Sequence, residues 1–319
     1  MQAKLTRTMN KISIITPFLN EAGNIPNLVS TLNNYFVDKP YQVEMVLVDD
    51  GSTDNSIELL KEQQFGNYEV KVLKLSKNYG AQAAVRAGIK HATGDYVIFL
   101  PADMQDPLTL IDRSYELAST KNVDIVYAFR KTTDNGWFET RFSQFYASLM
   151  RKFVDKRFPG KGFDIVFFSR KVKGNLDANI EQNSSIQLQI LTLGYSSESI
   201  YYDKAERKVG KSKWTMSRKI KLFIDSFVAF SFAPIRLVSI VGILFFVSGM
   251  IWNVYIILRK LIWDDLASGW PMLMSILLVG FGITNISLGI IAEYLWRTLD
   301  ASRKRPVFIV DEVIQLDKK

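Results

Sequence analysis

The sequence contains no cysteine and only one histidine, His91. Without cysteine the chain cannot form a disulfide, a Cys-ligated zinc site, an iron–sulfur cluster or a cysteine nucleophile. A single histidine likewise excludes a metal site built from several imidazoles. Any metal bound by this protein must therefore be held by oxygen ligands, which favours Mg²⁺ or Mn²⁺.

Two glycine-rich phosphate-binding motifs are also missing. Neither G-x-G-x-x-G nor G-x-x-x-x-G-K-[ST] follows the first predicted strand, at residues 11–16. These motifs supply the backbone amides that hold phosphates in dinucleotide-binding folds and in P-loop proteins. The sequence therefore excludes both classes, and a nucleotide would have to be bound by other groups.

Basic residues outnumber acidic ones, with 40 Lys and Arg against 32 Asp and Glu, which gives a formal net charge of +8. Such a balance suits anionic partners, such as nucleotides, nucleic acids or acidic lipid headgroups. A nucleic-acid binder would explain the charge but not the two long apolar runs described next. We therefore expect no nucleic-acid partner.

The C-terminal third contains two long runs without a charged residue. They cover residues 237–258 and 266–292, which are 22 and 27 residues long. A helix of the shorter run would be about 33 Å long, enough to cross the roughly 30 Å hydrocarbon core of a bilayer. The runs predict a two-helix transmembrane hairpin at 237–296, and the alternative is a buried helical hairpin in a soluble domain.

Basic residues flank both apolar runs. Arg236 precedes the first run and Arg297 follows the second, whereas the two basic residues of the connecting loop are offset by two acidic ones. Residues 1–10 are polar and do not resemble a signal peptide. By the positive-inside rule we expect a multi-pass protein of the bacterial inner (cytoplasmic) membrane with both termini in the cytoplasm.

Short β-branched runs alternate with helical patterns in residues 1–214. The predicted strands are 11–16, 44–48, 70–75 and 96–100, and the predicted helices are 24–36, 54–64 and 80–92. This alternation predicts an α/β domain with a doubly wound, mostly parallel sheet. Ligands bind beyond the carboxyl ends of the strands in such sheets, so polar residues at those ends should converge on one crevice.

Four carboxylates follow the second and fourth predicted strands. They are Asp49, Asp50, Asp103 and Asp106. Carboxylates can bind a ribose diol, the N–H groups of a base, or a divalent cation that bridges a diphosphate, and a nucleotide-sugar offers all three partners. Taken alone, the D-D-G-S-T-D sequence at 49–54 is also typical of an ordinary turn and helix cap.

Five segments carry a specific combination of motifs. They are ITPFLNE at 15–21, VDDGSTD at 48–54, SKNYG at 76–80, GDYVIFLPADMQDP at 94–107 and AERKVGKSKW at 205–214. Together they resemble the family 2 inverting glycosyltransferases and, among these, the polyprenyl-phosphate glycosyltransferases, bacterial relatives of dolichyl-phosphate mannose synthase. The resemblance implies a GT-A-like fold. It also implies transfer of a sugar from a nucleotide-sugar, UDP-linked by this resemblance, to undecaprenyl phosphate or a similar polyprenyl phosphate on the cytoplasmic leaflet.

The resemblance assigns donor and metal contacts residue by residue. The residues expected to contact the donor are Pro17, Asn20, Glu21, Asp49, Asp50, Asn78, Ala102 and Asp103. Asp50 matches the carboxylate that holds the base or ribose, and Asp103 matches the second acid of the family's D-x-D motif. The expected cofactor is Mg²⁺ or Mn²⁺, held by Asp103 and Gln105.

Pro101 stands where the family has the first acid of the D-x-D motif. Because proline has no side-chain ligand, Asp106, water or backbone carbonyls would have to complete the metal shell, or the metal would bind more weakly. This departure keeps open an alternative function. The alternative is a catalytically impaired, membrane-bound partner of a glycan pathway that binds a nucleotide-sugar without transferring it.

The catalytic residues implied by the resemblance are Asp103, Asp164, Arg207 and Lys211. Asp164 lies where similar transferases have an acid near the acceptor, although its neighbours depart from their G-D-F-R-L pattern. Arg207 and Lys211 match the family's R-x-x-G-x-S-K segment and would balance phosphate charge. The other interpretation of that segment is a basic juxtamembrane stretch attracted to anionic lipid.

Two further segments have amphipathic patterns. Apolar residues recur at helical spacing in 137–153 and again in the predicted juxtamembrane helix at 215–236, with basic residues between them. Both patterns suit helices in the membrane interface, although either could instead pack on the catalytic domain. Residues 297–319 are predicted as a cytoplasmic tail. A homo-oligomer is compatible with the sequence, which does not identify the sugar.

Overall fold

The computed structural model describes residues 9–131, 137–159, 163–179, 185–203, 269–303 and 305–316, together with isolated residues between 238 and 262. The chain divides into two compact units. One unit comprises Met1–Phe223 with Pro306–Lys319, and the other comprises Ile224–Arg305. The first unit carries every candidate site residue that the structure describes.

An eight-stranded sheet forms the centre of the first unit. Its strands are β1 (Lys11–Phe18), β2 (Gln42–Asp49), β3 (Glu69–Leu75), β4 (Tyr96–Phe99), β5 (Ile125–Arg130), β6 (Phe163–Ser169), β7 (Ser197–Tyr202) and β8 (Val310–Leu316). They lie in the order β7-β5-β6-β4-β1-β2-β3-β8. Neighbours pair in parallel except at β3–β8, β4–β6 and β5–β6. Six strands therefore run in one direction, and the predicted mostly parallel α/β sheet is confirmed.

In the described part of the first unit, seven helices connect these strands. They are α1 (Ile25–Tyr35), α2 (Ser56–Glu62), α3 (Ala81–His91), α4 (Thr109–Lys121), α5 (Trp137–Phe153), α6 (Arg170–Ala178) and α7 (Ile186–Thr192). The first three confirm the predicted helices to within two residues at each end. Helix α5 coincides with the predicted amphipathic segment at 137–153.

The parallel strands are covered by helices on both faces. All of β2 except its first residue is buried, as expected for a central parallel strand. On one face, Ile14 and Met45 share a buried cluster with Leu28 of α1. On the other face, α3 approaches the sheet so closely that a Cβ atom on Gly88 would overlap the side chain of Ile15. Glycine at this position therefore allows the close contact between α3 and β1.

The direction of the strands places one set of loops at a single edge of the sheet. The C-terminal ends of β1 to β5 and of β7 lie at this edge because these strands all run the same way. The antiparallel strand β6 begins there. This edge is called the site edge below.

Strand β8 comes from the predicted cytoplasmic tail, where no strand was expected. It pairs antiparallel with β3, from Val70↔Leu316 to Leu75↔Val310. Its sequence, VDEVIQL, mixes charged and apolar residues, and most of its side chains are half-buried or exposed. An edge strand of this kind lacks the continuous apolar run by which the central strands were recognised.

Helix α8 (Trp270–Ser302) belongs to the second unit and overlaps the second uncharged run. Within the residues that the structure describes, no helix meets the length and hydropathy that a membrane span requires. The two membrane spans at 237–296 remain a prediction. The predicted juxtamembrane helix at 215–236 lies outside the described residues.

Candidate active site

The site edge brings together residues that are far apart in the sequence. Asp49 ends β2 and Asp50 follows it, while Ala102 and Asp103 follow β4. Around them lie Pro17 near the end of β1, Asn20 and Glu21 just after it, and Asn78 after β3. Asp164 is the second residue of β6, so its backbone is at the same edge. Arg207 and Lys211 lie outside the described residues.

The loops that follow β1 and β2 are joined by hydrogen bonds. The Asn20 amide donates to the Ser52 hydroxyl at 2.9 Å, and the Thr53 amide donates to the Asn20 side-chain oxygen at 2.8 Å. The Glu21 amide donates to the Ser56 hydroxyl at 3.1 Å. Asn20 has a positive φ of 53°, a left-handed conformation that Asn tolerates better than most residues. The side chain of Asn20 thus shapes the loop that the resemblance assigns to the donor nucleotide.

Asp50 holds the turn that precedes α3. Its side chain is only 4% exposed, and its carboxylate accepts hydrogen bonds from the Tyr79 amide at 2.8 Å and the Gly80 amide at 3.0 Å. Burial raises the pKa of the Asp50 carboxyl, although these two hydrogen bonds oppose the rise. A Cβ atom on Gly51, whose φ is +76°, would lie 2.5 Å from the backbone carbon of Lys77. Asp50 and Gly51 therefore fix the loop that contains Asn78 against the end of β2.

Asp49 has a different environment from its neighbour Asp50. It is 0% exposed, and its Oδ1 accepts a hydrogen bond from the Ser52 amide at 3.0 Å. Its Oδ2 has no hydrogen-bond partner among the described residues. Burial raises the pKa of the Asp49 carboxyl. The two carboxylates thus have different hydrogen-bond partners, the Ser52 amide for Asp49 and the turn before α3 for Asp50.

The loop between β4 and α4 contains the D-x-D-like motif. Asp103 and Gln105 are half-buried, and the Gln105 amide donates to Asp103 Oδ1 at 3.3 Å. Between them Met104 has a φ of 52°, a left-handed conformation that is uncommon for a residue with a long side chain. Residues held in such conformations cluster at functional sites, where the surrounding structure stabilises them.

Asp106 is one of the groups that could replace the acid missing at Pro101. It is 4% exposed, and its Oδ1 accepts a 2.7 Å hydrogen bond from the Tyr202 hydroxyl. Arg130, the last residue of β5, pairs with Tyr202 in the register of β5 and β7. Sequence reasoning missed Tyr202 and Arg130, because Tyr202 is 96 positions from Asp106 and no motif connects them.

Few of the described side chains at the site edge could hold a metal ion. In the described part of the chain, no group of three or more His, Cys, Asp or Glu side chains is arranged to bind a metal ion. Asp103 and Gln105 remain as oxygen donors on the loop. Mg²⁺ is commonly bound by one or two carboxylates together with substrate phosphates, so this pair fits a metal that the donor diphosphate would help to bind.

Comparison with known proteins identifies the family of this chain. The family model described as "Glycosyl transferase family 2" matches residues 13–179, and the chain belongs to this family of glycosyltransferases. An uncharacterized glycosyltransferase of Bacillus subtilis (strain 168), YkcC, is 30% identical over 308 residues, which cover 96% of this chain and 95% of the relative. The resemblance that the motifs indicated is thus confirmed at the level of the family.

Two further relatives are named for their lipid acceptors. The undecaprenyl-phosphate 4-deoxy-4-formamido-L-arabinose transferase of Proteus mirabilis (strain HI4320) is 29% identical over 313 residues, covering 97% of this chain and 96% of the relative. The prophage bactoprenol glucosyl transferase homolog of Escherichia coli (strain K12) is 29% identical over 306 residues, covering 95% of this chain and 99% of the relative. The similarity extends well beyond the part of the chain that the family model matches.

Proposed function

We propose that this protein is an inverting glycosyltransferase that moves a sugar from a nucleotide-sugar, a UDP-sugar by resemblance, to a polyprenyl phosphate such as undecaprenyl phosphate. The observation that carries the proposal is the similarity, over at least 95% of the chain, to two relatives named for undecaprenyl phosphate and bactoprenol. A shared catalytic domain alone would not favour a lipid acceptor, because family 2 domains could serve many acceptors.

The donor is proposed to bind at the site edge. The two loops joined through Asn20 and the turn held by Asp50 form its nucleotide side, and the half-buried Asp103 and Gln105 form its diphosphate side. Asp103 and Gln105 would hold Mg²⁺ or Mn²⁺, which would stabilise the negative charge of the departing diphosphate. Asn78 and Ala102 are proposed donor contacts by their positions beside these loops.

The proposed reaction is a single displacement. A phosphate oxygen of the acceptor forms a bond with the anomeric carbon as the bond from that carbon to the nucleoside diphosphate breaks, so the configuration is inverted. The acceptor phosphate is already anionic near neutral pH and needs little help from a general base. Positioning and charge stabilisation are therefore the main tasks of the protein, and Asp164, Arg207 and Lys211 are the residues proposed for the acceptor side.

A membrane location is proposed together with the lipid acceptor. Residues 237–258 and 266–292 carry no charge, and large apolar side chains of α8, among them Phe281 and Leu295, are exposed. In the first unit, Phe145 and Phe153 of α5 are exposed as well. Apolar surface of this extent needs a covering, and a bilayer would supply it. We propose an inner-membrane protein with its catalytic unit and both termini in the cytoplasm.

The test uses the full chain, purified in detergent and supplied with undecaprenyl phosphate, Mn²⁺ or Mg²⁺ and a panel of nucleotide-sugars. We expect one donor to yield a lipid-linked sugar, detected by mass spectrometry. Asp103→Asn should lower the rate by about hundredfold, the order seen when one group that stabilises transition-state charge is lost. Asp38→Asn, which removes an exposed carboxylate between α1 and the start of β2, at the edge of the sheet opposite the site, is the matched control.

The second candidate function is a binding partner that does not transfer the sugar. Pro101 is the observation that favours it, because the loop lacks the first acid of the motif and Asp106 is directed to Tyr202 instead. In that case calorimetry would detect binding of a nucleotide-sugar while no lipid-linked product forms with any donor of the panel. That combination of results would replace the proposed transferase by this alternative.

A further inference from the structure

One buried hydrogen bond connects the loop that carries Asp103 to the C-terminal end of β7. The Tyr202 hydroxyl donates to Asp106 Oδ1 at 2.7 Å, and the two residues are 2% and 4% exposed. Tyr202 is the last residue of β7, whereas Asp106 lies between β4 and α4. In the order of the sheet, β5 and β6 separate β4 from β7. The hydrogen bond therefore connects two parts of the site edge that no backbone pairing joins.

A cation also lies near Tyr202. Arg130 pairs with Tyr202 in the register of β5 and β7, and its positive charge opposes the rise that burial and Asp106 cause in the pKa of Tyr202. The hydrogen bond from the Tyr202 hydroxyl is made to the Asp106 carboxyl. Hydrogen bonds to charged groups are shorter and stronger than neutral ones, and inside a protein they stabilise a single geometry.

The loop needs such an anchor because its turn is strained. Met104 is left-handed, with a φ of 52°, and it separates the two candidate metal ligands Asp103 and Gln105. A conformation of this kind persists only where the surrounding structure imposes it. Asp106 directly follows Gln105, so fixing Asp106 limits the positions that Asp103 and Gln105 can occupy.

We propose that Tyr202 is a positioning residue: its hydroxyl fixes Asp106 and thereby holds Asp103 and Gln105 where the donor diphosphate binds. This inference rests on the proposed function. Tyr202 itself contacts neither the donor nor the metal in this account. A merely structural role would lower the melting temperature of a Tyr202 variant but would leave the donor KM and the Mn²⁺ requirement of the folded enzyme unchanged.

The first measurement is the kinetics of Tyr202→Phe, which keeps the packed ring and removes the hydroxyl. We expect the donor KM and the Mn²⁺ concentration for half-maximal rate to rise by about tenfold, which corresponds to 1.4 kcal/mol. Tyr201→Phe, an exposed tyrosine on the same strand, is the matched control and should match the unmodified protein. Asp106→Asn keeps an acceptor oxygen, so its donor KM and its Mn²⁺ concentration for half-maximal rate should rise less than those of Asp106→Leu.

A second measurement does not depend on enzymatic activity. Hydrogen exchange of full-length protein should show faster exchange of the amides at 102–106 in Tyr202→Phe than in the unmodified protein or Tyr201→Phe. If exchange is unchanged, or if it rises while KM and the Mn²⁺ requirement stay constant, the positioning role is wrong. If the unmodified protein transfers no sugar at all, the proposed function fails, and calorimetry then tests the positioning role: Tyr202→Phe should weaken binding of the nucleotide-sugar with Mn²⁺ by about tenfold relative to Tyr201→Phe, and unchanged binding would overturn it.

Discussion

Two acids three positions apart, Asp103 and Asp106, have different surroundings. Asp103 is half-buried at the site edge, whereas Asp106 is buried against the Tyr202 hydroxyl. The sequence alone offered both as metal ligands, since the residue types and the motif suit either one. The environment of Asp106 depends on a tyrosine that is remote in sequence, so it could not be predicted from the loop.

Pro101 provides a test of the metal site at the level of one residue. It is half-buried and occupies the position of the absent first acid. Pro101→Asp should lower the Mn²⁺ concentration needed for half-maximal transfer, because a second carboxylate would join Asp103. The measurement is a Mn²⁺ titration of the transfer rate.

Pro101→Ala is the matched control for this titration, because it removes the proline without adding a ligand. We expect its half-maximal Mn²⁺ concentration to stay near that of the unmodified protein. The same titration curve for Pro101→Asp and Pro101→Ala would mean that residue 101 does not face the metal.

At the scale of elements, the first half of the sheet could be predicted and the second half could not. β1 to β4 are rich in β-branched residues, and the predicted runs match them to within two residues at each end, although β1 continues through Pro17 to Phe18. β6 and β8 run antiparallel, and β8 comes from the other end of the chain. Such pairings depend on contacts between remote segments, which local patterns do not encode.

Helix α5 has both buried and exposed apolar side chains. Its amphipathic pattern predicted either packing on the domain or a position in the membrane interface. Ala147 and Met150 are buried, whereas Phe145 and Phe153 are exposed. The helix therefore packs on the domain through Ala147 and Met150, and the interfacial position stays a prediction for the exposed side chains.

Glu44 joins three elements at the edge opposite the site. Its buried carboxylate accepts hydrogen bonds from Ser13 of β1 and from the Thr93 amide at 2.8 Å, and Lys71 of β3 lies 3.3 Å away. Burial opposes ionisation of Glu44, but these hydrogen bonds and the charge of Lys71 outweigh it. The pKa of the Glu44 carboxyl is therefore lower than its usual value.

A lowered pKa in the folded state gives Glu44 a stabilising effect above the pKa of the unfolded chain, and this effect is lost as pH falls through the folded-state pKa. Glu44→Gln should therefore cost about 3 kcal/mol at pH 7, the order for breaking a buried ion pair. The cost should be smaller in acid. Thermal unfolding at pH 7 and at acidic pH measures both values, with the exposed Glu62→Gln as control. An equal cost at both pH values would contradict this account.

At the scale of the whole molecule, the proposed reaction requires a water-soluble donor and a membrane lipid to meet. The donor loops belong to the described part of the first unit, whereas the R-x-x-G-x-S-K segment follows β7 in sequence and precedes the first uncharged run. Arg207 is therefore the best residue with which to separate the use of the lipid phosphate from the binding of the donor.

Arg207→Ala should lower kcat/KM for polyprenyl phosphate while donor affinity, measured by calorimetry, changes little. Losing a charge-assisted hydrogen bond to a phosphate costs about 1.5–3 kcal/mol, or roughly 10- to 150-fold. Arg207→Lys should recover only part of the loss, because the ammonium keeps the charge but lacks the planar fork of the guanidinium. Lys208→Ala, at a variable position of the motif, is the control for a general loss of basic charge near the lipid. Weaker donor binding by Arg207→Ala, with the lipid dependence unchanged, would place Arg207 on the donor diphosphate instead.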